Sequence, residues 1–215
     1  MPELSFQVEG AETVRSAATP LLNFRLCINT AISSVRVANV ILQCHIQIES
    51  PRRRYRPGEQ ERLRELFGDP LRFKQGPHPL LWTHNTLLIP GFEGSCIADL
   101  PVPCSYDFNV AAVKFFYALE DGEVPLLFQF SGTGFYRDEN DRLQISRIAW
   151  TKEATFLLPD SVWQEMMDRY YPNGTWLCLD RDQFDRLYRY KRQHGLSTWE
   201  QALDSLLDIV EENVP

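Results

Sequence analysis

From Leu42 to Glu49 the chain alternates without interruption: Leu42, Cys44, Ile46 and Ile48 are apolar, while Gln43, His45, Gln47 and Glu49 are polar. Successive side chains of a strand point to opposite faces, so this pattern, which Val40 extends, dictates an antiparallel strand with one buried and one wet face. The same period recurs at Leu4, Phe6 and Val8, and at Leu22, Phe24, Leu26 and Ile28. Further strands are expected over Leu80 to Ile89, Ser95 to Leu100 and Phe108 to Leu119, where aromatic and β-branched residues are dense. Glu120-Asp121-Gly122-Glu123 is a turn signal leading into alternating Leu126, Phe128 and Phe130, so 108–136 reads as a hairpin. After a second polar turn at Asp138-Glu139-Asn140-Asp141, the Leu143 to Leu158 region is expected to supply two more strands.

The period changes twice. Leu63, Leu66 and Phe67 sit at helical spacing before Gly68, predicting a short helix near 57–67. Beyond Pro159 three helix starts are legible: Ser161 with Gln164, Asp180 with Gln183, and Ser197 with Glu200. Trp163, Met166, Met167 and Tyr170 then make one apolar face, Phe184, Leu187 and Tyr188 a second, and Ala202, Leu203, Leu206 and Val210 a third. The fold expected is mainly β (α+β): an antiparallel immunoglobulin-like β-sandwich over residues 1–158, with a barrel as the alternative. A C-terminal helical segment, 159–215, is expected to pack on it.

Composition narrows the function classes. A formal charge of -7 over 215 residues opposes nucleic-acid binding, which rests on Lys and Arg neutralising phosphates. The first residues lack the charged and apolar regions of a secretory signal, and no apolar run of about 18 residues occurs, so no membrane span and a cytoplasmic location are expected. Five scattered cysteines, Cys27, Cys44, Cys96, Cys104 and Cys178, suit reduced thiols, most of them core residues.

Candidate chemistry is sparse. His78 and His84 stand six apart, His45 and His194 are isolated, and Cys96 and Cys104 stand eight apart, so neither a metal nor another cofactor is expected. Ser95 lacks the GxSxG frame of a strained nucleophile. In Ser131-Gly132-Thr133-Gly134-Phe135-Tyr136-Arg137 an arginine stands where a phosphate-binding loop needs its last glycine, so the glycines read as a strand bulge. No pair of carboxylates is singled out as acid and base, so the chain reads as a non-enzyme.

Two groups of residues remain as binding candidates. Arg52, Arg53, Arg54 and Arg56, interleaved with Tyr55, could dock an acidic partner surface, the competing reading being a loop paired with Glu59 and Glu61. Trp82, His84, Asp107 and Asn109 could line a pocket between sandwich and helices, the alternative to an interaction protein being a small-ligand-binding protein or an enzyme that uses it. The five tryptophans read mainly as core. Homo-oligomerisation through strand edges or the last helix is a further possibility.

Several stretches carry a resemblance: Met1-Pro2-Glu3-Leu4-Ser5-Phe6, Arg52-Arg53-Arg54-Tyr55, Pro79-Leu80-Leu81-Trp82-Thr83-His84, Leu100-Pro101-Val102-Pro103-Cys104, Phe108-Asn109-Val110-Ala111-Ala112 and Arg186-Leu187-Tyr188-Arg189-Tyr190-Lys191. Together they resemble an uncharacterised bacterial family encoded in gene clusters of actinobacterial-type high-affinity nickel–iron hydrogenases. The resemblance implies an accessory or scaffold protein whose partners are hydrogenase subunits or maturation factors. It supplies no catalytic residues.

Overall fold

The computed structural model describes residues 3–31, 36–68, 77–105, 110–138, 140–172, 174 and 179–212. Among them, β1 (Leu4–Thr13), β2 (Leu21–Thr30) and β5 (Ser95–Pro103) form an antiparallel sheet in the order β1-β2-β5. A second antiparallel sheet runs β4-β3-β6-β7, built from β3 (Arg36–Ile48), β4 (Leu80–Glu93), β6 (Glu123–Arg137) and β7 (Leu143–Pro159). Alternation places each strand: Leu22, Phe24, Leu26 and Ile28 of β2 and Leu42, Cys44, Ile46 and Ile48 of β3 are fully buried. Phe24 meets Phe128, Phe156 and Trp82 edge-on at 5.2, 6.0 and 6.1 Å, and Phe6 stacks on Phe130 at 4.5 Å.

The Leu143 to Leu158 region is one strand, β7, where two were expected. Its pairing with β6 slips between Phe130 and Gly132, and this is the bulge anticipated from the glycines. Gly132 has φ +146, and a Cβ there would collide with the carbonyl oxygen of Ile41 on β3.

The expected strand over Phe108 to Leu119 is instead a helix, α3 (Val110–Ala118), so the 108–136 hairpin does not exist as such. Apart from Val110 at its start, its exposed positions are Ala111, Lys114 and Tyr117, three residues apart, while Ala112, Val113, Phe115, Phe116 and Ala118 are buried. This helix closes over Trp82, whose ring lies 5.1 Å from Phe116. The short helix expected near 57–67 is two consecutive pieces, α1 (Pro57–Arg62) and α2 (Arg64–Phe67), preceded by a 3₁₀ turn over Ser50–Arg52.

The chain divides into two compact units, Met1–Gly174 and Thr175–Pro215. The first extends past the boundary expected after residue 158 and takes in α4 (Asp160–Tyr170), which packs on β1, β2 and β7. Trp163 of α4 stacks on Phe116 at 5.1 Å, and the Tyr170 hydroxyl lies 3.0 and 2.8 Å from the carbonyls of Val14 and Ala17. The start of α4 differs from expectation: Pro159 occupies the N-cap and Asp160 begins the helix, so Ser161 is already inside it. The second unit holds α5 (Arg181–Gln193), with Asp180 at its N-cap as expected, and α6 (Trp199–Glu212). The reciprocal cap of α6 joins Thr198 to Gln201, one residue beyond the expected Ser197 and Glu200.

Candidate functional site

The basic stretch lines a cleft of about 830 Å³ whose other walls are Asp121, Gly122 and Glu123 and, on β7, Thr155, Phe156 and Leu157. Its four arginines have different fates. Arg53 turns inward: its side chain is 8% exposed and its Nη1 and Nη2 both donate to Oε1 of Glu59 at 3.0 Å. It also donates to the carbonyls of Glu123, at 3.2 Å, and Asp121. Glu59 is 1% exposed and accepts the backbone N–H groups of Arg56 at 2.8 Å and Glu120 at 3.0 Å as well. Burial pushes its carboxyl up, but Arg53 and the two backbone donors outweigh that and hold it below the usual range. Glu61, the other expected partner, pairs with Arg64 instead.

Tyr55 donates its hydroxyl to the Ser50 carbonyl at 2.7 Å, under the Arg53 guanidinium, and burial raises its phenol pKa. Arg52 pairs with Glu49 at 3.2 Å, and Arg56 bridges Asp121 at 2.8 Å and Glu120 at 3.5 Å. Arg54 is exposed and has no ion pair among the described residues. The predicted docking cluster is thus largely a clamp tying the 50–59 loop to the 120–123 turn. Behind it lies Asp160, fully buried, whose Oδ2 accepts from Gln164 and whose Oδ1 has no partner among the described residues. Desolvation pushes its carboxyl up to about 6, against the opposing charge of Arg53.

The other predicted group does not converge. Trp82 is buried beside Phe24 and Phe116, whereas His84 is exposed on the outer face of the four-stranded sheet, so the two cannot line one pocket. Asp107 and Asn109 lie outside the described residues. His84 has a different neighbour: it is the register partner of His45, with ring centroids 4.0 Å apart. Partial burial and the neighbouring charge both lower the His45 pKa. Among the described residues no group of three or more His, Cys, Asp and Glu is arranged to hold a metal ion.

A surface that the sequence did not single out surrounds the β6–β7 bulge. Three residues of β7, Ala149, Trp150 and Thr151, stand opposite Ser131 alone, which lifts Trp150 out of the inward phase kept by Ile148 and Lys152. Trp150 is 76% exposed. It borders a hollow of about 500 Å³ with Ile41, Gln43, Thr133 and Arg147, and Leu88 and Ile145 extend the apolar area along adjacent strands. Of the other tryptophans, Trp82 and Trp163 are core, as expected, Trp199 is half-buried, and Trp176 lies outside the described residues. The signal available in the sequence was Ser131-Gly132 opposite an over-long β7 segment, which marks a bulge but not what the bulge exposes.

These features define a mainly-β protein of two antiparallel sheets, with α4 packed on the sheets and a separate helical unit at its C-terminal end. The chain belongs to a family of unknown function, DUF6084, whose model matches residues 1–215. No curated protein matches it. Similar solved structures include a CARDB domain from Pyrococcus furiosus in complex with di-metal ions, at 8% identity and a TM-score of 0.28 over 74% of this chain and 87% of that one. They also include a protein described as late embryogenesis abundant, at 13% identity and TM-score 0.33 over 74% and 72%. A β-glucosidase from Kluyveromyces marxianus matches at 5% identity and TM-score 0.26 over 74% and 15%. No helix among the described residues is long and apolar enough to cross a membrane.

Proposed function

We propose that this chain is a non-enzymatic interaction protein built on an immunoglobulin-like sandwich, acting in the cytoplasm as an accessory or scaffold of a nickel–iron hydrogenase system. The strand order supports the fold reading. Immunoglobulin constant domains group strands one, two, five and four against three, six and seven, and here only the fourth strand has changed sheets, to pair with the third. The hydrogenase context rests on the sequence resemblance described above.

The observation that carries the interaction reading is the exposed Trp150 beside Ile41 and Arg147. Aromatic anchors bordered by arginine are the residue types enriched at binding hot spots. Arg147 is exposed and has no ion pair among the described residues. The partner that fits is a protein segment presenting an apolar side chain next to a carboxylate, on a hydrogenase subunit or maturation factor. Capture of tagged wild-type protein and Trp150→Ala from the native host, with bound proteins identified by mass spectrometry, tests this. Recovery of a hydrogenase component by the wild type alone is expected. Equal recovery by both would remove the site, and recovery of no such component, with hydrogen uptake unchanged on gene deletion, would remove the function.

A second reading, binding of a small anionic ligand, is favoured by the Arg52–Arg56 cleft, where Arg54 points no charge at a carboxylate. A thermal shift with phosphate or a dicarboxylate that disappears in Arg54→Ala would support it, and an unchanged melting temperature across such anions would end it.

A further inference from the structure

The C-terminal unit has an unspent surface. Its helices α5 and α6 are joined by residues 194–198, and Gly195 takes the left-handed conformation (φ +64) that ends α5. The two helices meet through a narrow seam in which the Tyr190 and Ser205 hydroxyls lie 2.8 Å apart and Ala202 is fully buried. That seam uses only part of the apolar surface. Phe184, Tyr188 and Trp199 gather into one aromatic cluster, with centroids 5.3 to 6.2 Å apart. Leu203, Leu207 and Val210 continue the ridge from Trp199 along α6 at helical spacing. Leu207 and Val210 are each 59% exposed, and Phe184 and Tyr188 are exposed as well. Two helices of 13 and 14 residues cannot enclose such a ridge by themselves.

Charge identifies what covers it. Helix α5 carries five basic residues, Arg181, Arg186, Arg189, Lys191 and Arg192, against two acidic ones. Helix α6 carries five acidic residues, Glu200, Asp204, Asp208, Glu211 and Glu212, and no basic one. Lys191 and Arg192 lie over the Trp199 and Tyr188 rings at 5.4 and 5.9 Å, but among the described residues no ion pair joins α5 to α6, and Arg181, Arg186, Arg189, Glu200, Asp204, Asp208 and Glu211 are exposed. A surface with an apolar ridge, one basic helix and one acidic helix is complementary to itself under a two-fold rotation, which lays α5 of one copy against α6 of the other.

We propose that the α5–α6 hairpin is a self-association surface, and that two copies of this chain pair through it into a four-helix bundle. The ridge forms the core of the bundle, and the basic and acidic helices face each other across its flanks. A C2 arrangement brings both α6 ridges together and sets both charge matches at once.

Sedimentation equilibrium of the full chain over a wide concentration range tests the proposal. The wild type is expected to be a dimer that weakens with added salt. Leu207→Glu with Val210→Glu should give a monomer whose circular dichroism is unchanged. Arg186→Glu with Arg189→Glu, and separately Asp204→Lys with Asp208→Lys, should each raise the dimer Kd by about tenfold or more, while mixing the two reversed proteins should restore a heterodimer. A wild type that stays monomeric throughout, or a dimer indifferent to all of these changes, overturns the proposal.

Discussion

Arg53 and Glu59 form a buried, doubly donated ion pair, with Nη1 and Nη2 of the guanidinium both 3.0 Å from one carboxylate oxygen and side chains 8% and 1% exposed. Such a pair is seldom worth more than apolar packing, but losing one member leaves the other charged and dry. Glu59→Ala is therefore expected to destabilise the protein by about 3–5 kcal/mol in urea or guanidinium unfolding, whereas Arg53→Met with Glu59→Leu recovers only part of that loss, because the Arg56 and Glu120 backbone N–H groups still lose their acceptor. A Glu59→Ala change near zero would show that the clamp is not structural.

Asp160 sets a pH dependence of definite sign. Its carboxyl is raised from 3.8 to about 6 in the folded chain, chiefly by desolvation. Between the unfolded and folded values the native state keeps a proton that the unfolded chain has lost. This contribution to stability is complete below the unfolded pKa and is lost as pH rises through about 6. Asp160→Asn should accordingly gain on the wild type by up to about 1.4 kcal/mol per pH unit across that window and then plateau. Denaturation curves from about pH 4 to about pH 7 measure it. A difference that does not change with pH contradicts the assignment.

Gly132 and Gly10 differ in a way that stability measurements can read. A Cβ at Gly132 meets the Ile41 carbonyl and lies 3.2 Å from the Leu42 Cα, and the residue has φ +146, whereas a Cβ at Gly10 meets nothing within 4 Å. Gly132→Ala should cost on the order of 3 kcal/mol and Gly10→Ala less than about 1 kcal/mol. Equal melting temperatures for the two variants would mean that the β6–β7 bulge is not held as described.

Burial pushes the thiols of Cys44 and Cys104 up to about 12, and both side chains are enclosed. Cys27 and Cys96 are half-buried. Iodoacetamide followed by peptide mass spectrometry should modify Cys27 and Cys96 in the native protein and spare Cys44 and Cys104 until unfolding. Modification of Cys44 as fast as Cys27 would place the core incorrectly.

Much of the β architecture was legible because alternation is a direct consequence of burying one face of a strand: Leu22 to Ile28 and Leu42 to Ile48 keep their phase throughout. The expected strand over Phe108 to Leu119 fails because the density of Val, Phe and Tyr in α3 imitates a strand. Its true period shows in the exposed Ala111, Lys114 and Tyr117, but with alanine in the stripe and an exposed Val110 at the helix start the sequence carries almost no polar signal of that period. Helix starts shifted by a residue where several side chains competed for the same backbone donors, as at Ser197, Thr198 and Gln201. The arginine cluster was visible, but whether an arginine faces a partner or its own Glu59 depends on how the 50–59 loop meets the 120–123 turn, which no local pattern encodes. The exposure of Trp150 was equally hidden, since it arises from a mismatch in length between two strands.

The proposed partner-binding role of the bulge around Trp150 separates cleanly from any role in stability. Because Trp150 is 76% exposed, Trp150→Ala should alter stability by no more than about 0.5 kcal/mol. The direct measurement is quantitative mass spectrometry of proteins captured from the native host by the wild type and by Trp150→Ala. A hydrogenase subunit or maturation factor is expected on the wild type, and its loss, by about tenfold or more, on the variant. Equal capture by the two, with both folded, would contradict it.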